Sequence, residues 1–155
     1  MISEQFVHSI SLKREKVDSF KAYPFCLPFV EGLDNLELHP KVTFFIGENG
    51  TGKSTLLESI ALSLGFNAEG GTKNFNFSTR KSHSELYEYL RISKGIKKPK
   101  DGFFLRAESF FNVATEIDDL DVQHAYGGQS LHEQSHGESF LALMMNRFSG
   151  NGIYL

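Results

Sequence analysis

The sequence has little with which to cross-link, anchor or charge itself. A single cysteine, Cys26, stands among 155 residues, so no internal disulfide can form and a reducing compartment is expected. Cys26 lies in the apolar stretch 23–29 and reads as a small core residue rather than a nucleophile. Positive charge is also scarce. The net charge is −3, which excludes nucleic-acid binding by a global basic field. No apolar stretch approaches the ~20 residues of a membrane span. The first ten residues lack the basic and apolar regions of a signal peptide. Together these absences predict a cytoplasmic protein. There is no internal repeat, no low-complexity tract and no sustained heptad pattern.

What is present suits a folded domain. The length is that of a single domain spanning residues 1–155. Fifteen phenylalanines are enough to build a core. Residues 6–12 alternate loosely and predict a strand, and a second short strand is expected near 36–38. Residues 42–46, Val-Thr-Phe-Phe-Ile, form a nearly continuous apolar run, as a strand covered on both faces does. Leu56, Leu57, Ile60, Ala61 and Leu64 then recur at helical spacing, and Gly65 is a stop signal. Strand, glycine-rich turn and helix in this order predict an α/β sandwich with a mostly parallel sheet.

Further along, residues 67–84 read as a surface excursion and 84–92 as a helix capped by Ser84. Residues 102–117 read as a strand continuing into a helix. Residues 138–148 read as a helix with apolar positions Phe140, Leu141, Met144 and Phe148. A last strand begins at Ile153.

The strongest chemical signal lies between the apolar run and the first long helix. Gly47, Glu48, Asn49, Gly50, Thr51, Gly52, Lys53, Ser54 and Thr55 satisfy the pattern G-x-x-x-x-G-K-[ST]. Its glycines let the backbone curl so that successive N–H groups point at phosphate oxygens. The helix that follows adds its partial positive charge at the same place. In this chemistry Lys53 reaches the β- and γ-phosphates of ATP and the Ser54 hydroxyl ligates Mg²⁺. A second feature is Ser135-x-x-Glu138, which by itself is a capping box at a helix start.

The stretches 42–61, 102–115 and 131–143 together resemble bacterial ATPases of the AAA/ABC-type P-loop family, near their RecF/SMC-like branch. They cover about a third of the chain. The resemblance implies a three-layer head of the ABC-ATPase type. It also implies that residues 134–138 stand where the family carries its Leu-Ser-Gly-Gly-Gln/Glu signature. Gln134 and His136 depart from that pattern, whereas Ser135, Gly137 and Glu138 keep the hydroxyl, the glycine and the acidic end. In the family this segment closes from a second subunit onto ATP held by the phosphate loop. Glu108 or Ser109 lies where the family has a magnesium-side glutamine. Glu108 is thus a candidate Mg²⁺ ligand, or alternatively a partner of Arg106 or Arg80.

Lys53 and Ser135 are 82 residues apart (135 − 53), too close for long coiled-coil arms between them. The family places its catalytic carboxylates on the strand after the signature helix, just beyond Leu155. The expected chain therefore has a full nucleotide loop, no catalytic residue of its own and an incomplete C-terminal part of the sheet.

ATP hydrolysis coupled to head dimerisation is the activity so implied. A non-hydrolysing, nucleotide-gated binding module and a P-loop small-molecule kinase are the rivals. Weaker features complete the reading. Arg91, Lys94, Lys97, Lys98 and Lys100 form a basic loop, either solvated or in contact with nucleic-acid phosphates. His124, His132 and His136 cluster in sequence as a conceivable zinc site. Tyr23, Phe25 and Phe29 are candidates to stack on adenine.

Overall fold

The computed structural model describes residues 5–75 and 83–155. They form two compact units, Met1–Gly65 with Ser82–Lys98 and Phe66–Lys81 with Pro99–Leu155. Arg80, one of the two alternative partners of Glu108, falls outside the described residues.

The first unit is built on an antiparallel sheet. Strand β1 (Val7–Leu12) lies between β2 (Leu36–Glu37) and β3 (Leu90–Lys94). Alternation sets its faces. Ile10 and Leu12 point into the core, while Ser9 and Ser11 lie opposite Glu37, Ser93 and Arg91 on the outer face. Helix α2 (Lys53–Ser63) covers the inner face with Leu56, Ile60 and Ala61, and Leu64 follows at its end. Full burial of each large aliphatic side chain contributes about 1.5–3 kcal/mol. A short helix α1 (Pro28–Glu31) starts with proline in its first turn, where no amide donor is needed, and buries Val30. Ser63 donates to the Tyr87 carbonyl at 3.1 Å and ties the end of α2 to the segment before β3.

Two sequence expectations change here. The helix expected over 84–92 is a single 3-10 turn, Glu85–Tyr89, followed by β3. Ser84 does cap the turn, accepting from Leu86 N–H. Pairing with β1, from Leu12↔Leu90 to Val7↔Lys94, then draws the chain into a strand. The apolar run 42–46 forms no regular strand. Nothing among the described residues pairs with it, and Val42, Phe44 and Ile46 are 58%, 80% and 84% exposed. The expected mostly parallel sheet is likewise replaced by one antiparallel sheet of three strands and one short parallel pair.

That pair belongs to the second unit. Strand β4 (Asp101–Phe103) runs parallel to β5 (Gly152–Tyr154). Helices α3 (Phe110–Asp119) and α4 (His136–Arg147) supply its core, in which Phe103, Val113, Ile117 and Leu143 are almost fully buried. Phe110 meets Phe140 edge-on, with ring centroids 4.6 Å apart. The buried face of α4 differs from the expected one. Leu143 and Ser139 face inward, Phe140 and Phe148 are partly covered, and Leu141 and Met144 are exposed. No helix among the described residues is long and apolar enough to cross a membrane.

Candidate functional site

The segment 47–55 folds as a tight loop opening into α2. Gly50 and Gly52 adopt left-handed backbone, with φ of +83° and +97°. Gly52 is the residue before the helix, and its carbonyl accepts the first helical bond, from Leu56 N–H at 2.9 Å. Thr51 closes the loop from within, donating its hydroxyl to the Glu48 carbonyl at 2.8 Å. The loop rests on residues 27–29. Phe29 N–H donates to the Thr51 carbonyl at 3.0 Å, and a Cβ placed on Gly52 would lie 3.0 Å from Leu27 Cβ. Leu27 escapes any motif search because it acts through shape and sits two dozen residues upstream. Its only sequence signal is an apolar residue just before a proline-initiated helix.

The electrostatics at the start of α2 are one-sided. No side chain caps the helix, and its first turn carries no acidic residue. Its orphan N–H groups and their partial positive charge therefore have no capping side chain and no first-turn acid to meet. Lys53 stands at the same place, its ammonium donating to the carbonyls of Gly47 at 2.7 Å and Glu48 at 2.6 Å. Those carbonyl oxygens are neutral acceptors for a charged donor, and phosphate oxygens are stronger ones. Ser54 is exposed and Thr55 half-buried in the first turn. The donor set, an uncapped helix start with one lysine and one serine hydroxyl, fits a polyphosphate with its magnesium ion.

The start of α4, in the second unit, is built differently. Ser135 caps it, and the capping box is complete. The Ser135 hydroxyl and Ser135 N–H both donate to the Glu138 carboxylate, at 2.6 and 3.0 Å, and Glu138 N–H donates to the Ser135 oxygen at 3.4 Å. These bonds hold the Glu138 carboxyl below its ordinary range, the serine hydroxyl being the larger cause. Gly137 is exposed, with open space where a side chain would be.

Glu108 pairs with Arg106 at 3.3 Å and is largely exposed, so its carboxylate faces the arginine that sequence had offered as a partner. Sequence reasoning missed the surroundings of that turn. The stretch 68–71, read as a plain excursion, clasps it. Arg106 donates to the Ala68 carbonyl at 3.1 Å, Ser109 donates its hydroxyl to the Glu69 carbonyl, and Asn112 donates to the Glu69 carboxylate at 3.3 Å. Gly71 and Phe104 exchange backbone bonds beside it.

The remaining candidates separate. His132 meets Thr115 at 3.0 Å and the Phe111 ring, while His136 lies against Phe140. No group of three metal-type ligands forms among the described residues. Cys26 is exposed, which corrects its reading as a core residue. Phe25 does belong to the core, edge-on to Tyr89, and Phe29 leans on Phe45. Tyr23 is exposed.

An α/β chain in which G-x-x-x-x-G-K-S opens into an uncapped helix stands with the P-loop nucleotide-binding proteins. The comparison with known families makes this particular. A model of the AAA domain matches residues 16–125, well over half of the sequence, and the chain belongs to that family. The chain is also 39% identical over 66 residues to the DNA replication and repair protein RecF of Colwellia psychrerythraea. That match covers 43% of this chain and 16% of the relative, so the similarity reaches a small part of the longer protein. The chain is thus an AAA-domain protein whose likeness to RecF is partial. No solved structure matches it.

Proposed function

We propose that the chain binds Mg-ATP through residues 47–55. The phosphates lie on the start of α2, Lys53 reaches the β- and γ-phosphates, and Ser54 ligates Mg²⁺. The observation that carries this reading is the contrast between the two helix starts. Helix α4 carries its own capping box, Ser135 accepting from Glu138 N–H and the Glu138 carboxylate accepting from Ser135, whereas α2 has neither a side-chain cap nor an acid in its first turn and has Lys53 beside it. The helix without a side-chain cap or a first-turn acid is the one that follows the glycine loop.

The finer reading is that a second copy closes on the nucleotide with Ser135 and Gly137. In that step the Ser135 hydroxyl exchanges the Glu138 carboxylate for a γ-phosphate oxygen. Hydrolysis of ATP to ADP and phosphate, coupled to this closure, is the reaction proposed for the complete family head. A nucleotide-gated module that closes without hydrolysis is the alternative, and steady-state phosphate release separates the two.

Isothermal titration of the chain with Mg-ATP tests the binding reading. Lys53→Ala removes a charge-assisted contact of about 1.5–3 kcal/mol and is expected to weaken ATP at least tenfold. Unchanged affinity would sink the assignment.

A further inference from the structure

We propose that the open edge of β3 and the turn after it form a docking site for an acidic peptide that adds as a fourth strand to the sheet of the first unit. Strand β3 lies at the end of the order β2-β1-β3 and, among the described residues, pairs on one side only. Its other side carries a row of backbone N–H and C=O groups with no backbone partner among the described residues. An unprotected edge of this kind accepts another strand, and the side chains along it decide which.

Those side chains are of one sign. From Tyr89 to Lys100 the sequence holds five cations and no acid. Arg91, Lys94, Lys97 and Lys98 lie in the same unit and are exposed. Arg91 meets Glu15 at 3.3 Å, both side chains being mostly in solvent. Lys94 and Lys98 have no carboxylate partner among the described residues. A second copy of the chain presenting the same edge would set Arg91 and Lys94 against their own kind, and like charges across a strand pair are destabilising. The cations thus exclude self-pairing and select an acidic strand.

The turn is a fixed part of the surface. Gly95 donates its N–H to the Phe6 carbonyl at 2.9 Å, and a Cβ on it would fall 1.8 Å from the Gln5 carbonyl oxygen, so only glycine fits. The turn presents Ile96 at 84% exposure, followed directly by Lys97 and Lys98. An apolar side chain among cations, at the end of an open backbone row, suits a strand that alternates acidic and apolar residues. A nucleic-acid backbone would use the cations and leave both the open row and Ile96 without a role.

The test is fluorescence anisotropy with a labelled peptide alternating glutamate and valine, on the full chain without nucleotide. Saturable binding is expected, weakened about tenfold or more by Lys94→Glu/Lys97→Glu and recovered in that variant by a lysine–valine peptide. A glutamate–valine peptide with proline at alternate positions is expected to fail, because it cannot complete the ladder. Equal binding of the proline peptide would overturn strand addition. Failure of the lysine–valine peptide to recover binding would overturn the charge selection. Tighter binding of an oligonucleotide or an anionic vesicle than of the peptide would assign the surface to a phosphate polymer or a lipid. Lys53→Ala serves as a control expected to bind the peptide normally, which keeps this result separate from the ATP reading.

Discussion

Replacing Gly52 with alanine tests the loop through a residue that contributes no side-chain chemistry. At φ = +97° Gly52 lies well beyond the left-handed region that other residues tolerate. Holding alanine there costs about 1–3 kcal/mol. The new methyl would also lie 3.0 Å from Leu27 Cβ and 3.1 Å from Leu27 Cδ1, inside the 3.5–4.0 Å optimum for carbon contacts. Cδ1 can rotate away, but Leu27 Cβ is fixed to the backbone that supports the loop. Against these costs, alanine lowers the entropy of the unfolded chain, a gain of about 0.4–1 kcal/mol. The penalty wins, and a net loss of about 1–2 kcal/mol is expected in urea unfolding. Relaxation of the strained residue must also turn the first N–H groups of α2, so Mg-ATP affinity should fall about tenfold or more. Leu27→Ala in the same chain removes the Cδ1 crowding and leaves the dihedral strain, so the double variant should recover only part of the Gly52→Ala affinity loss. If Gly52→Ala unfolds like the parent and binds Mg-ATP equally well, the loop is not the rigid cradle described above.

The start of α4 supports two further expectations. Ser135→Arg should leave ATP binding by a single copy nearly intact and abolish ATP-dependent dimerisation, read by light scattering with a non-hydrolysable analogue. Dimerisation equal to the parent would leave Ser135 as a helix cap alone. The carboxyl of Glu138 is held below its ordinary range by Ser135 in the folded chain. Its contribution is therefore complete above the unfolded carboxylate pKa and is lost as pH falls through the lowered value. Amide exchange in the first turn of α4 should accelerate over that acid window, and Glu138→Gln should flatten the profile.

How much of this was legible in the sequence follows from the range of the interactions involved. The loop 47–55, the uncapped helix behind it and the capping box at Ser135 are local, and each was readable from residues within a few positions. The long-range features were not. Residues 84–92 carry a serine cap and a helix-compatible pattern, yet β1 recruits Leu90–Lys94 as a strand, because five paired positions outweigh a weak local preference. In α4 the residues Leu141, Leu143, Met144 and Met145 are nearly contiguous. Their spacing cannot choose a face, and the buried cluster that holds Ile117 and Tyr126 takes in Leu143 alone of the four. Cys26 was misplaced for a similar reason: of its neighbours in an apolar stretch, Pro24 and Phe25 turn inward and the cysteine does not.

The run 42–46 shows the same limit and yields a test of its own. Its composition is that of a strand with cover on both sides, and the structure gives it none among the described residues. Phe44 and Ile46 are therefore large apolar side chains standing in water next to the loop 47–55. Such side chains contribute almost nothing to the stability of the fold they stand on, but they promote association with any similar surface. Phe44→Ser/Ile46→Ser should consequently shift stability by no more than about 0.5 kcal/mol, the usual range for surface changes. The same double change should clearly reduce self-association in sedimentation velocity. Phe45 is the internal contrast, because it is half-buried and its ring lies 5.8 Å from that of Phe29. Phe45→Ser should cost stability where its two neighbours do not. If the double variant instead loses ~2 kcal/mol or more, as a core substitution does, then Phe44 and Ile46 are covered in solution, and the run is a true strand as the sequence first suggested.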